Sequence, residues 1–232
     1  MHDFIINIFN KVISKLKGND FKIDPAIPIS YLFSNFSGKL LNLIYGQMRL
    51  RSFKLCFISP SSKIKCSSRF KFGKNLQIDR HCFIDALSLE GITLGNNVSF
   101  GKYTHMMASG SLKYLGKGIK IGNNVGLGTH GHYGGAGGLE IGDDTIIGNF
   151  VSFHPEEHNY GKPGIPIRLQ GTSHKGITNG KNCWIGAKAT ILDGTKVGDN
   201  CIIAAGALVK GEFPDNVIIG GVPAKILKRI IS

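Results

Sequence analysis

The stretch His154-Pro155-Glu156-Glu157-His158 puts two imidazoles and two carboxylates within five residues of a 232-residue chain. A neutral imidazole, with an ordinary pKa near ~6.5, can take a proton from a reacting hydroxyl around neutral pH. It does so best when an acceptor such as Glu156 or Glu157 holds its other ring nitrogen. Residue types alone leave both His154 and His158 open as that base. The five cysteines are widely spaced and form no CxxC pair, which predicts reduced thiols in a cytoplasmic protein. None of them has a histidine-paired context that suggests a nucleophile.

The elements that must position these groups are visible as a repeat. From Asn179 onward, Ile185, Ile191, Val197, Ile203 and Val209 recur every six residues, and small residues fill Cys183, Ala189, Thr195, Cys201 and Ala207. A helix would scatter a period of six over three directions, whereas six is a multiple of the two-residue strand period. The same beat runs through Phe72, Ile78, Ile84; Leu94, Phe100, Met106; Ile121, Leu127, Tyr133; and Ile141, Ile147, Phe153. Three beats make one eighteen-residue turn. The pattern predicts an all-β core of about six stacked triangular coils, starting at 72, 94, 121, 141, 179 and 197. Residues beyond eighteen always follow the third rung, so one corner carries all the decoration. The longest excursion, 159–178, is predicted to be a lid or binding loop.

Three segments follow. Residues 1–52 read as an amphipathic helical segment: Phe4, Ile5, Ile8, Phe9, Val12, Ile13 and Leu16 recur at helical spacing, as do Leu32, Phe33, Phe36, Leu40, Leu43, Ile44 and Met48 after Pro25 and Pro28. Residues 53–214 form the coil domain, with 53–71 (Ile58, Ile64, Phe70) a partial, irregular coil. Residues 215–232 form a cap, in which Pro223–Ile231 reads as a short basic helix or strand. Lys and Arg outnumber Asp and Glu by 28 to 15, a formal charge of +13 that favours an anionic partner. The expected arrangement is helices packed on the coil or a neighbouring subunit. Lys11, Lys15, Lys17, Lys39, Arg49, Arg51 and Lys54 also permit docking on an anionic membrane surface. No apolar run approaches the ~18 to 20 residues of a membrane span, and the N-terminus shows no signal-peptide cleavage site. The expected location is therefore the cytoplasm, at most against the inner face of the membrane.

The segments CWIGAKATILDGTKVGDNCIIAAGALVK and GGVPAKILKR resemble the hexapeptide-repeat acyltransferases, the left-handed β-helix family that uses acetyl-CoA or a related thioester. The likeness covers about residues 72 to 229, and the left hand comes from it alone. HPEEHNY followed by PIRLQG is most similar to O-acetyltransferases of sugars and bacterial surface polysaccharides. In that branch the catalytic histidine ends the third rung before the loop that precedes WIG. With rungs Ile141–Ile146, Ile147–Ser152 and Phe153–His158, the resemblance implies His158 as the base and His154 as the reserve; Glu157, where other rungs carry a small inward residue, is the expected site carboxylate. The resemblance also implies a donor site at Trp184, Ala187, Ala205, Lys210, Lys225 and Lys228; His130, His132 and Arg168 are this chain's own candidate acceptor contacts. Lys210 stands one residue earlier than the usual family lysine, and Gly128 and Ala136 replace the sugar-binding Asn and Asp of simple sugar acetyltransferases. The implied partners are a glycan acceptor and two further copies of the chain in a homotrimer, with no nucleic acid and no metal.

Other readings compete. An amino-sugar N-acetyltransferase remains compatible with the chain. A γ-carbonic-anhydrase-like metal enzyme shares the fold, but resembles a pair of histidines five apart, whereas His81, His105, His130 and His132 show no such pair. A non-enzymatic β-helix binding scaffold would leave His158 and the donor-site lysines unexplained.

Overall fold

The computed structural model describes residues 5–11 and 22–230. Each six-residue beat becomes one short strand and one corner, and the alternation of an extended chain sends every second side chain inward. Successive turns pair in parallel and build a left-handed parallel β-helix with three faces. The first face runs from Cys56–Ile58 through Leu76–Ile78, Ser99–Phe100, Gly126–Leu127, Ile146–Ile147, Trp184–Ile185 and Ile202–Ile203 to Val217–Gly221. The second contains Lys63–Lys65, Phe83–Asp85, His105–Met107, His132–Gly134, Ser152–His154, Thr190–Leu192 and Leu208–Val209. The third starts at Phe70–Phe72 and ends at Glu212–Phe213.

The register stacks like on like. Ile78, Phe100, Leu127, Ile147, Ile185, Ile203 and Ile219 form one buried column, and Ile64, Ile84, Met106, Tyr133, Phe153, Ile191 and Val209 form another, inside one continuous core. Residues 56–72 correct the sequence expectation. They make a complete turn, with Cys56 beside Leu76, Ile64 beside Ile84 and Phe70 beside Ile92, so the helix has seven full turns. A 3-10 turn at Ser67–Arg69 takes up the uneven spacing while the inward positions stay in place.

Two corners are themselves ladders. Asn75, Asn97, Asn124, Asp144, Asn182, Asn200 and Asn216 all adopt left-handed φ between 51 and 58°, which short polar side chains tolerate. Their side chains hydrogen-bond from turn to turn, as in Asn97 Nδ2 to Asn124 Oδ1 at 2.8 Å and Asn182 Nδ2 to Asn200 Oδ1 at 2.8 Å. At the corner between the first and second faces, His81, Tyr103, His130 and Phe150 stack with ring centroids 5.0, 4.9 and 4.7 Å apart. The long insertions, 86–91, 108–118 and 155–176, all join the second face to the third.

Helix α1 covers residues 5–11, and α2 covers Ile29–Leu50. The predicted continuation of α1 through Val12, Ile13 and Leu16 lies outside the described residues. Ile6 and Phe9 of α1 pack with Ile23, Leu32 and Phe36 in a small second core. Helix α2 lies against Cys56–Ile58, and Gly46 is buried at the contact, where a Cβ would collide with the Cys56 carbonyl. At the other end Ala224–Arg229 folds back antiparallel on Val217–Gly221. The C-terminal segment is thus a strand, and it covers the edge of the last turn.

Candidate active site

A cleft opens at the decorated corner, between the insertion 108–118 and the base of the insertion 155–176. Its inner lobe is lined by Met107, His132, Gly134, Phe153, His154 and Glu156 and encloses about 230 Å³. The adjoining outer lobe, about 270 Å³, is lined by Lys113, Tyr114, Glu156, His158, Arg168 and His174. The rung HYGGAGG makes room for it. A Cβ on Gly134 would sit 2.9 Å from Pro155 Cδ, and one on Gly135 would sit 2.8 Å from Ala108 Cα.

His154 ends the strand Ser152–His154, half-buried on the outer side of the second face. Its ring stacks on that of His132, with centroids 5.3 Å apart and planes 21° from parallel. Burial pushes the His154 pKa below the ordinary histidine value, and the Glu156 carboxylate opposes that shift. Burial also lowers His132, with smaller contributions from His154 and His105, against the same pull from Glu156. At pH 7 both rings are therefore neutral and able to accept a proton.

His158 stands elsewhere. The second-face strand of this turn ends at His154, in register with the end of its neighbour Thr190–Leu192, and the insertion 155–176 leaves the coil at that point. Glu157–His158 then leave the coil and pair antiparallel with Thr172–Ser173. The expected rung Phe153–His158 is therefore cut short, and His158 is an exposed residue of the loop's base, facing the outer lobe. Glu157 does not serve a histidine. Its carboxylate accepts from Lys210 Nζ at 2.6 and 2.8 Å, and that hydrogen bond raises the lysine pKa. Glu157 and Lys210 thus form an ion pair with each other.

Sequence reasoning missed two residues, one that lines the cleft and one that anchors the loop beside it. His174 Nε2 lies 3.4 Å from Glu156 Oε2 and 3.0 Å from Thr172 Oγ1. The buried Asp193 carboxylate accepts from the backbone N–H groups of Lys175 and Gly176 at 2.8 to 3.0 Å, and pins the point where the loop rejoins the coil. The antiparallel pairing that carries His174 back to Glu156 has no counterpart in the six-residue period, so no spacing rule points to it.

The remaining predicted residues divide into groups. His132 and Arg168 line the cleft. His130 does not; it belongs to the aromatic stack at the other edge of the second face. Ala187 and Ala205 lie at that same edge, beside the left-handed corner residues Lys188 and Gly206. Trp184 points outward from the first face with 56% of its surface exposed, and Lys225 and Lys228 are exposed on the terminal strand. Among the described residues no three His, Cys, Asp or Glu side chains are grouped to hold a metal ion.

Residues 180–211 match the bacterial transferase hexapeptide (six repeats) family. The chain is 29% identical over 199 residues to the putative lipopolysaccharide biosynthesis O-acetyl transferase WbbJ of Escherichia coli K12, covering 82% of this chain and 83% of that one. It is 34% identical over 96 residues to the galactoside O-acetyltransferase of the same organism, covering 40% of this chain and 44% of that one. AntD, an N-acyltransferase from Bacillus cereus solved with dTDP and 3-hydroxybutyryl-CoA, superposes with a TM-score of 0.56 at 20% identity. That match covers 82% of this chain and 91% of AntD, and it is a likeness of fold. The turns, the corners and the matched repeat define a hexapeptide β-helix transferase. The chain resembles the hexapeptide-repeat acyltransferases over most of its length, and residues 180–211 carry the family's repeat.

Proposed function

We propose that the protein transfers an acetyl group from acetyl-CoA to a hydroxyl of a sugar or bacterial surface polysaccharide, with His154 as general base. The observation that carries this reading is the His154 ring itself: fixed at the end of a coil strand, half-buried at the floor of a cleft, and kept neutral by its surroundings. The likeness to WbbJ over 82% of the chain supports an O-acetyl acceptor. AntD acts on nitrogen but shares only the fold, so an amino-sugar acceptor is the weaker reading.

In the forward step the imidazole removes the hydroxyl proton as the oxygen attacks the thioester carbonyl. The tetrahedral adduct collapses, the C–S bond breaks, and the imidazolium returns its proton to the departing CoA sulfur. Glu156 favours the imidazolium while it exists. The donor-side residues Trp184, Ala187, Ala205, Lys225 and Lys228 and the base stand across the second face from each other. A homotrimer in which one chain supplies the base and its neighbour the donor wall would unite them. His132 at the floor and Arg168 at the rim contact the acceptor.

The same reading places the trimer on the inner face of the membrane. Phe33, Leu40, Leu41, Ile44 and Met48 form one exposed apolar stripe along α2, and the chain carries a charge of +13. Such a face suits an anionic bilayer. No described helix is long and apolar enough to cross a membrane.

The test is thiol release from acetyl-CoA with candidate glycans, followed by mild alkali on the product. Loss of the acetyl group under alkali identifies an ester, and an alkali-stable product would assign the chain to N-acetylation. Absence of thiol release with every glycan would refute the reading. Sedimentation with phosphatidylglycerol vesicles, but not with phosphatidylcholine vesicles, tests the membrane assignment.

A further inference from the structure

The outer lobe has a charge character that the transfer chemistry does not require. Two separate insertions wall it, and each contributes a cation: Lys113 from one and Arg168 from the other. Gly110 brings the walls together, since a Cβ there would lie 2.8 Å from Glu156 Oε1. Glu156 is the lobe's one carboxylate, and it is engaged with His174 at 3.4 Å. Neither Lys113 nor Arg168 has a carboxylate within ion-pair distance among the described residues, although Lys113 lies 5.4 Å from the centre of the Tyr114 ring. Nearby, Lys210 is by contrast neutralised by Glu157.

We infer that this lobe is an acceptor subsite for an anionic sugar, whose carboxylate or phosphate seats between Arg168 and Lys113 while its hydroxyl reaches His154. A guanidinium offers planar, paired donors that match either anion, and an ammonium adds a point charge from the opposite wall. His158 and His174 border the same space and can donate or accept. Glu156, at the boundary between the lobes, would repel an anion seated deeper, which keeps the charge on the outer side and the neutral hydroxyl on the inner one. The inference rests on the acyltransferase reading and narrows it to acidic acceptors.

Two matched pairs test it on the full-length protein with acetyl-CoA: oligogalacturonate against its carboxyl-reduced form, and galactose 6-phosphate against galactose. The anionic member of at least one pair should show a KM lower by about tenfold or more at low salt, as expected for a charge-assisted hydrogen bond. Arg168→Gln should collapse that ratio, and high salt should shrink it. The pair with the larger ratio distinguishes carboxylate from phosphate. Equal KM values within both pairs, or ratios untouched by Arg168→Gln, would overturn the inference and leave the transferase reading standing. Equilibrium binding of the same four probes covers the opposite case. Preferential binding of an anionic probe without any thiol release would sink the transferase reading and sustain the anion subsite.

Discussion

His154 and His132 stack on neighbouring strands of the second face, 5.3 Å apart, above the glycines that hollow the cleft. Burial holds both below the ordinary histidine pKa, and Glu156 pulls both the other way. A base with a lowered pKa stays neutral to lower pH. The acid limb of the kcat/KM profile should therefore have its midpoint below about 6.5. Removing the Glu156 charge withdraws the pull toward the imidazolium, so Glu156→Gln should move that midpoint to still lower pH. A pH–rate series on both proteins checks the sign, and a midpoint that rises in the variant contradicts the geometry.

Gly46 lies mid-helix, where Ala would ordinarily stabilise by about 1 kcal/mol. Here the added Cβ meets the Cys56 carbonyl. Gly46→Ala should instead destabilise, by roughly 1–3 kcal/mol of overpacking. Denaturant melts of parent and variant give the difference, and a stabilised variant would mean that α2 does not seat as described.

Asn182 and its stack-mates hold left-handed φ, which costs a residue with an ordinary Cβ about 1–2 kcal/mol. Asn182→Ala should lose about that much and also its bond to Asn200, whereas Asn182→Gly should lose less, since glycine adopts the angle freely. Equal losses in thermal melts would contradict the ladder.

The Glu157–Lys210 pair is largely exposed, so its coupling should be small, about 0–1 kcal/mol in a double-mutant cycle. The Glu157→Gln variant should accordingly fold as the parent does. A coupling of several kcal/mol would place the pair in a far drier setting.

The coil was legible because inward residues repeat every six positions without slippage from Asn179 to Val209, and burial leaves that pattern little freedom. The first turn, 56–72, was misread because a 3-10 turn disguises the spacing although Ile58, Ile64 and Phe70 keep their places. The repeated Gly/Pro-x-Asn/Asp at the third corner, as in GNN, GDD, GDN and PDN, was a readable signal of left-handed corner residues. The cleft was harder. Counting by six carried the third rung through His158, whereas the insertion leaves the coil after His154 and a local antiparallel pair takes over. Non-periodic contacts such as Glu156 with His174, Glu157 with Lys210 and Asp193 with the loop exit join residues 17 to 53 positions apart, and no repeat encodes them.

The central claim is tested most directly by the rate of acetyl transfer in His154→Ala and His158→Ala, each first shown to fold and assemble like the parent. Loss of a general base costs about 10²–10⁴-fold. The account predicts that loss in kcat for His154→Ala, with His158→Ala retaining turnover and changing chiefly in KM. A fully active His154→Ala, or a collapse of kcat confined to His158→Ala, would contradict it.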